Sequence, residues 1–279
     1  MAIVNRTPDS FFDQGATFAL DRAVQAAVDA AEAGADWVDI GGVPFAPGPE
    51  LSARDELARV LPVVEALADR SDVVVSVDTF RPDVAESVIR AGAGVINDTT
   101  GLHDPRLADV VADSPATLVV THSLAEPRRP FPLPRYDDVA AEVVGFLARR
   151  IDLAVAHGVP LDRLVVDPGH DLNKTTRHTL EITRRLGEVA ALGHPILAAV
   201  SNKDFVGESL GRAKPDRLAG SLAAATVSVM FGARIIRMHD VRAAVDAAHM
   251  VEAIMGWREP AFEVHNLVPE TDPTGGEAR

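Results

Sequence analysis

The sequence predicts an α/β fold of the (β/α)8 barrel class. Eight short Val/Ile-rich runs recur along the chain, helical stretches separate them, and several of those stretches end in Gly-Ala just before the next run. Apolar runs of four to eight residues, too short for helices and rich in β-branched residues, read as buried parallel strands. Eight alternations in a chain of 279 residues match the size of such a barrel, about 250 residues. A doubly wound sheet is the alternative. It usually carries a glycine-rich phosphate loop after its first strand, and "NRTPDSF" is not one.

The runs in order are "AIVN" (2–5), "WVDI" (37–40), "VVVSVD" (73–78) and "GVIND" (94–98), then "TLVVTH" (117–122), "RLVVD" (163–167), "PILAAVS" (195–201) and "RIIRMH" (234–239). Stretches such as "DRAVQAAVDAAEAGA" and "YDDVAAEVVGFLARRIDLAVAHG" carry the helical period between them. Gly34, Gly92 and Gly232, in "EAGADWV", "RAGAGVI" and "MFGARII", are expected to supply left-handed helix ends. The pattern stops near residue 258. Residues 1–258 form one predicted domain, and 259–279, with "PETDPTGGEAR", read as a polar, partly disordered tail.

Composition narrows the function. With 27 Lys+Arg against 41 Asp+Glu the net charge is −14. A general nucleic-acid or anionic-membrane binder needs clustered cations, so that class is disfavoured, while a small anion held by two or three local cations is not. With no cysteine, disulfides, thiolate catalysis and Cys-based zinc sites are excluded. The start has no apolar leader region and no run is long enough to span a bilayer, so a soluble cytoplasmic protein is expected.

Barrel chemistry sits at the carboxyl ends of the strands. Those ends carry Asn5, Asp39, Asp78, Asn97 with Asp98, His122, Asp167, Ser201 with Lys203, and Arg237 with His239. Any one of them could be a helix cap or an Asx turn; polar residues on all eight strands point to a shared site. Asp78, Asn97 and Asp167 suit a planar, nitrogen-rich heterocycle, because a carboxylate takes paired N–H donors and an Asn offers donor and acceptor together. Lys203 and Arg237 add cations after strands 7 and 8, where barrels often hold phosphate. Asn5 and His239 neighbour each other where strand 8 meets strand 1 and could meet a phosphate oxygen or Mg²⁺, which prefers oxygen ligands. The residues alone indicate an enzyme for a heterocycle bearing phosphate or pyrophosphate.

"AIVNRTPDSFFDQG", "VSVDT", "INDTTG", "VVDPGHDLNKT", "SNKDFVG" and "RMHDV" occur in the order seen in dihydropteroate synthases, whose usual forms are NVTPDSFSDGG, SIDT, NDVSG, DPGIGFGKT, SRK and RVHDV. The resemblance runs from residue 2 to about 256. It implies condensation of 6-hydroxymethyl-7,8-dihydropterin pyrophosphate with p-aminobenzoate, with release of pyrophosphate. It further implies a pterin site of Asp78, Asn97, Asp167, Lys203 and Arg237. Asn5, Arg237 and His239 would lie at the pyrophosphate, with Asn5 on Mg²⁺, and Lys203, Arg237 and His239 would serve catalysis. A homodimer through the last helices is also implied, here "AAVDAAHMVEAIMGW" with Val245, Met250, Val251 and Ile254.

The departures from the family fall on the acceptor side. After strand 2 the family has GGESTRPG and this chain has "GGVPFAPG": Val43, Pro44, Phe45 and Ala46 stand for Glu, Ser, Thr and Arg, while Pro47 and Gly48 remain. In the family that arginine contacts the pyrophosphate and shapes the aminobenzoate pocket. Asn202 replaces the Arg of SRK, Leu172 an aromatic, Asp171 and Asn173 two glycines, and Thr121 a Met. Phe45, Ala46, Pro47, Ser201 and Asn202 therefore mark an altered acceptor pocket. The pattern is similar to the second synthase paralogue of mycobacteria and relatives, a class regarded as lacking ordinary activity. The resemblance implies pterin binding with condensation weakened, lost or turned to another acceptor; the alternatives are a working synthase and a non-catalytic partner of one. His170 reads as an exposed loop residue, Trp37 and Trp257 as packing groups, and "EPRRPFPLPRY" (126–136) as a flexible lid or solvated loop in which Arg128 or Arg129 could clamp substrate.

Overall fold

The structure, a computed structural model, describes residues 1–5, 20–43, 48–68, 70–131 and 133–266. Eight strands appear where the apolar runs lie: β1 (Ala2–Asn5), β2 (Trp37–Gly41), β3 (Val74–Asp78), β4 (Val95–Asp98), β5 (Thr117–Thr121), β6 (Leu164–Asp167), β7 (Ile196–Ala198) and β8 (Ala233–Ile236). They form one parallel sheet in chain order. Its edges meet: Ile3 N–H donates to Met238 O at 3.2 Å and Met238 N–H to Met1 O at 3.0 Å, around a parallel bridge of Ala2 with Met238. The fold is TIM-barrel-like. The described residues hold α1 (Leu20–Glu32), α2 (Ala53–Ala68), α3 (Pro82–Arg90), α4 (Arg106–Ala112), α5 (Val139–Ala156), α6 (Thr176–Arg184), α7 (Leu186–Ala190), α8 (Asp204–Leu210), α9 (Leu218–Met230) and α10 (Val241–Ile254).

Local chemistry sets these elements. Asp138 caps α5 by accepting from Ala141 N–H, and Asp240 caps α10 by accepting from Ala243 N–H. Pro82 starts α3, where its missing N–H costs nothing. Gly34, Gly92 and Gly232 have φ of 98°, 114° and 114°, so the left-handed turns expected at these helix ends are present. Ala23, Val24, Ala27 and Ala30 give α1 its buried stripe.

Two apolar clusters lie on opposite faces of the sheet. The larger joins the strands to the helices. The smaller consists of Val95, Val119, Val165 and Leu197, with Met1, Trp37, Ala199 and Ile235 against it. It fixes the inner face, because side chains alternate along a strand. Asn5, Asp39, Asn97, Thr121 and Asp167 share the parity of these inner residues, and Arg237 continues that of Ile235. Packing at one end of the barrel thus aims the polar strand ends into its mouth.

Three expectations change. The run 195–201 forms only the three residues of β7; its register with β8 shifts between Ile196 and Leu197 and the pairing ends at Ala198. Likewise β8 ends at Ile236, so Arg237 and His239 lie just past it. Trp257 is half exposed, with the Arg234 guanidinium 5.5 Å above its ring. Of the expected tail, 259–266 are exposed and carry no helix or strand, and 267–279 lie outside the described residues.

Candidate active site

Asp39 is the hub of the inner face. It is fully buried, and its carboxylate accepts from Ser76 Oγ at 2.6 Å, Asn97 Nδ2 at 3.0 Å and Arg237 Nε at 2.7 Å. The Arg237 Nη2 lies 3.9 Å from Asp78 Oδ2, so one guanidinium serves two carboxylates. Burial, and next the charge of Asp39, push the Asp78 carboxyl up to about 7, against the pull of Arg237. Asn97 spends its amide N–H on Asp39, which leaves its Oδ1 buried and without a partner among the described residues; the Thr121 hydroxyl is in the same condition. A buried polar group without a partner is costly, so these two atoms suit a ligand with polar groups of its own. The expectations had Asp39 only as a polar strand end. A lone acid inside the apolar run "WVDI" was the signal for more.

The segment after β6 carries the next group. Asp167 accepts from Gly169 N–H at 2.7 Å. Burial raises its carboxyl, while that hydrogen bond and the charges of Lys203, Lys174 and Arg237 oppose the rise. Lys203 donates to His170 O at 3.0 Å, and burial lowers its ammonium. Lys174 passed unmarked in the sequence. Its buried Nζ meets Gly169 O at 3.0 Å, Leu172 O at 3.1 Å and His122 Nδ1 at 2.8 Å. Burial brings Lys174 down to about 7 and, with the Lys174 charge, brings His122 down to about 3. A neutral His122 therefore accepts a hydrogen bond from Lys174 at Nδ1. His170 is the clearest correction. It is fully buried rather than exposed, beside Phe205 with ring centroids 6.3 Å apart, and neither ring nitrogen has a partner among the described residues.

Ser201 Oγ accepts from His239 N–H at 3.1 Å and sits 2.9 Å from its Nδ1, which ties the end of β7 to the end of β8. Asn202 takes φ 55°, a conformation asparagine tolerates, and its backbone N–H donates to Ser221 Oγ on α9. The Asn5 Oδ1 lies 3.5 Å from where a Cβ on Gly41 would stand, so the bare Cα of Gly41 makes room for that amide next to Asp78. Phe45, Ala46 and Pro47 lie outside the described residues.

The fifth loop is exposed over most of 126–136, as expected, but it is anchored at both ends. Asn173 Oδ1 accepts from Leu124 N–H at 2.7 Å, Ala125 N–H at 3.1 Å and Ser123 Oγ at 3.2 Å, and Tyr136 donates to Asn173 O at 2.8 Å. Asp171 and Asn173 hold φ of 63° and 52°. They keep the left-handed backbone that glycines would adopt and add side chains that grip neighbours. Under this loop lies a cavity of about 280 Å³, lined by Asp78, Phe80, Thr99, Arg128, Leu172 and Lys174 among others.

The mouth thus offers buried acceptors, two lysines and an arginine to a small polar ring system, and known proteins agree with that character. The family model "Pterin binding enzyme" matches residues 1–239. The inactive dihydropteroate synthase 2 of Mycobacterium leprae is 43% identical over 274 residues, 96% of this chain and 94% of that protein. The dihydropteroate synthase of Escherichia coli K12 is 38% identical over 260 residues, 93% and 92% of the two chains. The crystal structure of the Yersinia pestis dihydropteroate synthase with a sulfonamide drug superposes with a TM-score of 0.88 at 38% identity, covering 92% of this chain and 94% of that one. A family model spanning most of the chain, and relatives this similar over nearly their whole lengths, establish that the chain belongs to the pterin-binding enzymes, the family of the dihydropteroate synthases.

Proposed function

We propose that this chain binds 6-hydroxymethyl-7,8-dihydropterin pyrophosphate in the mouth of a closed barrel, and that its condensation with p-aminobenzoate is weak, lost or turned to another amine. One observation carries the reading. The pterin-facing set of Asp78, Asn97, Asp167, Lys203 and Arg237 is intact, whereas the loop after β2 reads "GGVPFAPG" and has no cation. In the proposed complex Asp78 and Asp167 take N–H donors of the ring, Asn97 Oδ1 gains the partner it lacks, Lys203 donates to a ring acceptor, and Arg237 lies beside the ring, held by Asp39.

The reaction breaks the bond from the pterin methylene carbon to oxygen. Pyrophosphate leaves with the electron pair, and an aryl amine attacks the carbon. Residues that stabilise the leaving anion raise the rate of that step. Arg237 and His239 remain for this task; Ser201, Asn202, Phe45, Ala46 and Pro47 would form the changed acceptor side. Asn5 would hold Mg²⁺. Among the described residues no group of three His, Asp or Glu side chains could hold a metal, but one amide oxygen, waters and substrate phosphates suffice for magnesium. When bound, the ion would neutralise charge on the pyrophosphate.

A working synthase is the second reading, favoured by the same intact pterin side and by the Escherichia coli relative; a non-catalytic partner of a true synthase is the third. A homodimer through α9 and α10 belongs to the proposal too: of the expected set Met250 and Ile254 are exposed, with Val227 and Met230 of α9 exposed as well, whereas Val251 is buried and Val245 packs at Gly34. So does a cytoplasmic location; among the described residues no helix is long and apolar enough to cross a membrane. The test is calorimetric titration with the pterin pyrophosphate and Mg²⁺, then an assay for dihydropteroate. Binding without turnover supports the first reading, turnover at an ordinary rate the second, and no binding the third.

A further inference from the structure

Resting on that reading of the site, we propose that Arg128, delivered by the fifth loop, is the cation this chain sets against the anionic oxygen group of a substrate, in place of the one its second loop lacks. Between Gly42 and Leu51 the second loop has no Lys or Arg, and Glu50 is its only charge. The fifth loop reaches that segment. Gly48 N–H donates to Arg128 O at 3.3 Å and Arg128 Nε donates to Pro49 O at 3.1 Å, across 79 positions of sequence. A Cβ on Gly48 would stand 2.5 Å from Arg128 Nη2, so the guanidinium lies directly on the bare Cα of the second loop.

The placement is built from both sides. Asn173 holds the fifth loop at Leu124 and Ala125, three residues before Arg128. Arg128 itself adopts φ 58°, a left-handed backbone that a non-glycine residue rarely takes. It stands where two cavities adjoin. The first, of about 280 Å³, has Asp78 and Lys174 in its wall. The second, of about 560 Å³, extends away from Asp78 toward Arg81 and Arg106, and Val43, Phe80, Glu126, Pro127 and Arg129 line both along with Arg128. Asp78 and Arg128 share the wall of the first cavity, so a substituent or acceptor that occupies it comes within reach of this junction. Arginine presents a planar fork that matches a phosphate or a carboxylate. The two sources of such a group are the pyrophosphate of the pterin and the carboxylate of the aryl acceptor.

The test is calorimetric titration of the full chain, with Mg²⁺, against 6-hydroxymethyl-7,8-dihydropterin, its pyrophosphate, inorganic pyrophosphate and p-aminobenzoate in turn. Arg128→Ala should weaken an anionic probe by about tenfold to a hundredfold, the range for a charge-assisted hydrogen bond. Affinity for the uncharged pterin alcohol should stay within about twofold, since it offers Arg128 no anion. Arg128→Lys should recover part of the loss, because it keeps the charge without the fork. Gly48→Ala retains every donor but pushes the guanidinium off its seat, and should weaken the same probe as Arg128→Ala. Loss confined to the pyrophosphates assigns Arg128 to the leaving group, and loss confined to p-aminobenzoate assigns it to the acceptor. An equal loss for pterin alcohol and pterin pyrophosphate would mean that Arg128 only staples the two loops, and the proposal falls. It falls equally if no anionic probe responds to Arg128→Ala. If neither pterin binds the unaltered chain while an anion still binds through Arg128, the pterin reading fails and this one stands.

Discussion

Asp39 is the residue whose change tests the site most directly. Its carboxylate is fully buried and accepts hydrogen bonds from Ser76, Asn97 and Arg237 at 2.6, 3.0 and 2.7 Å. In Asp39→Asn the amide oxygen can keep Asn97 and Arg237 while its NH₂ donates to Ser76 Oγ, so the geometry survives and the charge is lost. The cost is then the charge-assisted part of the Arg237 contact, about 2 kcal/mol. In Asp39→Ala all three donors lose their acceptor and a partly buried guanidinium loses its main partner, which costs about 4 kcal/mol. For a domain of this size each kcal/mol moves the melting temperature by about 2–4 °C. The Asn variant should therefore melt about 4–8 °C lower and the Ala variant about 8–16 °C lower, by calorimetry or circular dichroism. A second readout is pH. The Asp78 carboxyl, pushed up to about 7 by burial and by Asp39, keeps a proton in the folded chain that the unfolded chain releases near its ordinary value of 3.8. Asp78 thus makes the fold less stable as pH rises from about 3.8 to about 7. Its ionised form is the better acceptor, so affinity for the pterin should rise through the upper end of that window. Removing the Asp39 charge takes away the repulsion that raises the Asp78 carboxyl and leaves the Arg237 charge opposed by Asp78 alone in that pair, so the affinity profile of Asp39→Asn should shift to lower pH. Superimposable pH profiles, or Asn and Ala variants that both melt within about 1 °C of the parent, would refute the hub.

Asp167→Ala removes a buried acceptor and should weaken pterin binding by about 2–4 kcal/mol in calorimetric titration; equal affinities would show that the ring does not sit there. Replacing the second-loop segment from Val43→Glu through Ala46→Arg, together with Asn202→Arg, should raise dihydropteroate formation at least about tenfold in a coupled pyrophosphate-release assay, and parent turnover already matching an ordinary synthase would make the missing arginine irrelevant. Gly101→Ala places a Cβ 2.5 Å from Thr121 O and 2.8 Å from Phe146 at φ 70°, so it should lose about 1–3 kcal/mol in a denaturant melt; an unchanged midpoint would deny the tight approach of the Gly101 backbone to β5 and α5. Light scattering at micromolar concentration should give a dimer mass, and Met250→Asp with Ile254→Asp a monomer; a monomer mass for the parent would dispose of the α9–α10 interface.

Much of the fold was legible in the sequence. Strand-like runs, helix stripes and the helix-ending glycines Gly34, Gly92 and Gly232 depend on residues a few positions apart, and so does side-chain parity. The inner placement of Asp39, Asn97 and Asp167 follows from that parity once the apolar residues beside them face the barrel interior. Parity says which face a side chain takes but not which partner it finds there. That Asp39 binds Arg237 is a contact across 198 positions, made only because the edges of the sheet meet. The register shift of β7 against β8 is likewise a matter of pairing between strands far apart in the chain. The sequence "PGHDLNK" looked like an exposed loop because glycine, proline and polar residues mark turns. Burial of His170 and Lys174 comes instead from segments packed over them, including α8 through Phe205 and the end of β5 through His122. The exposure of the fifth loop is legible in its unpatterned arginines and prolines, but the contacts that hold its ends are not. Its anchors, Asn173 from the sixth loop and Gly48 from the second, lie dozens of residues away in the chain. Local propensity and alternation were enough to put the polar residues at one end of the barrel. Which of them are paired, buried or left facing the cavity was decided by tertiary contact, because desolvation and hydrogen bonding depend on neighbours that only closure of the sheet brings together.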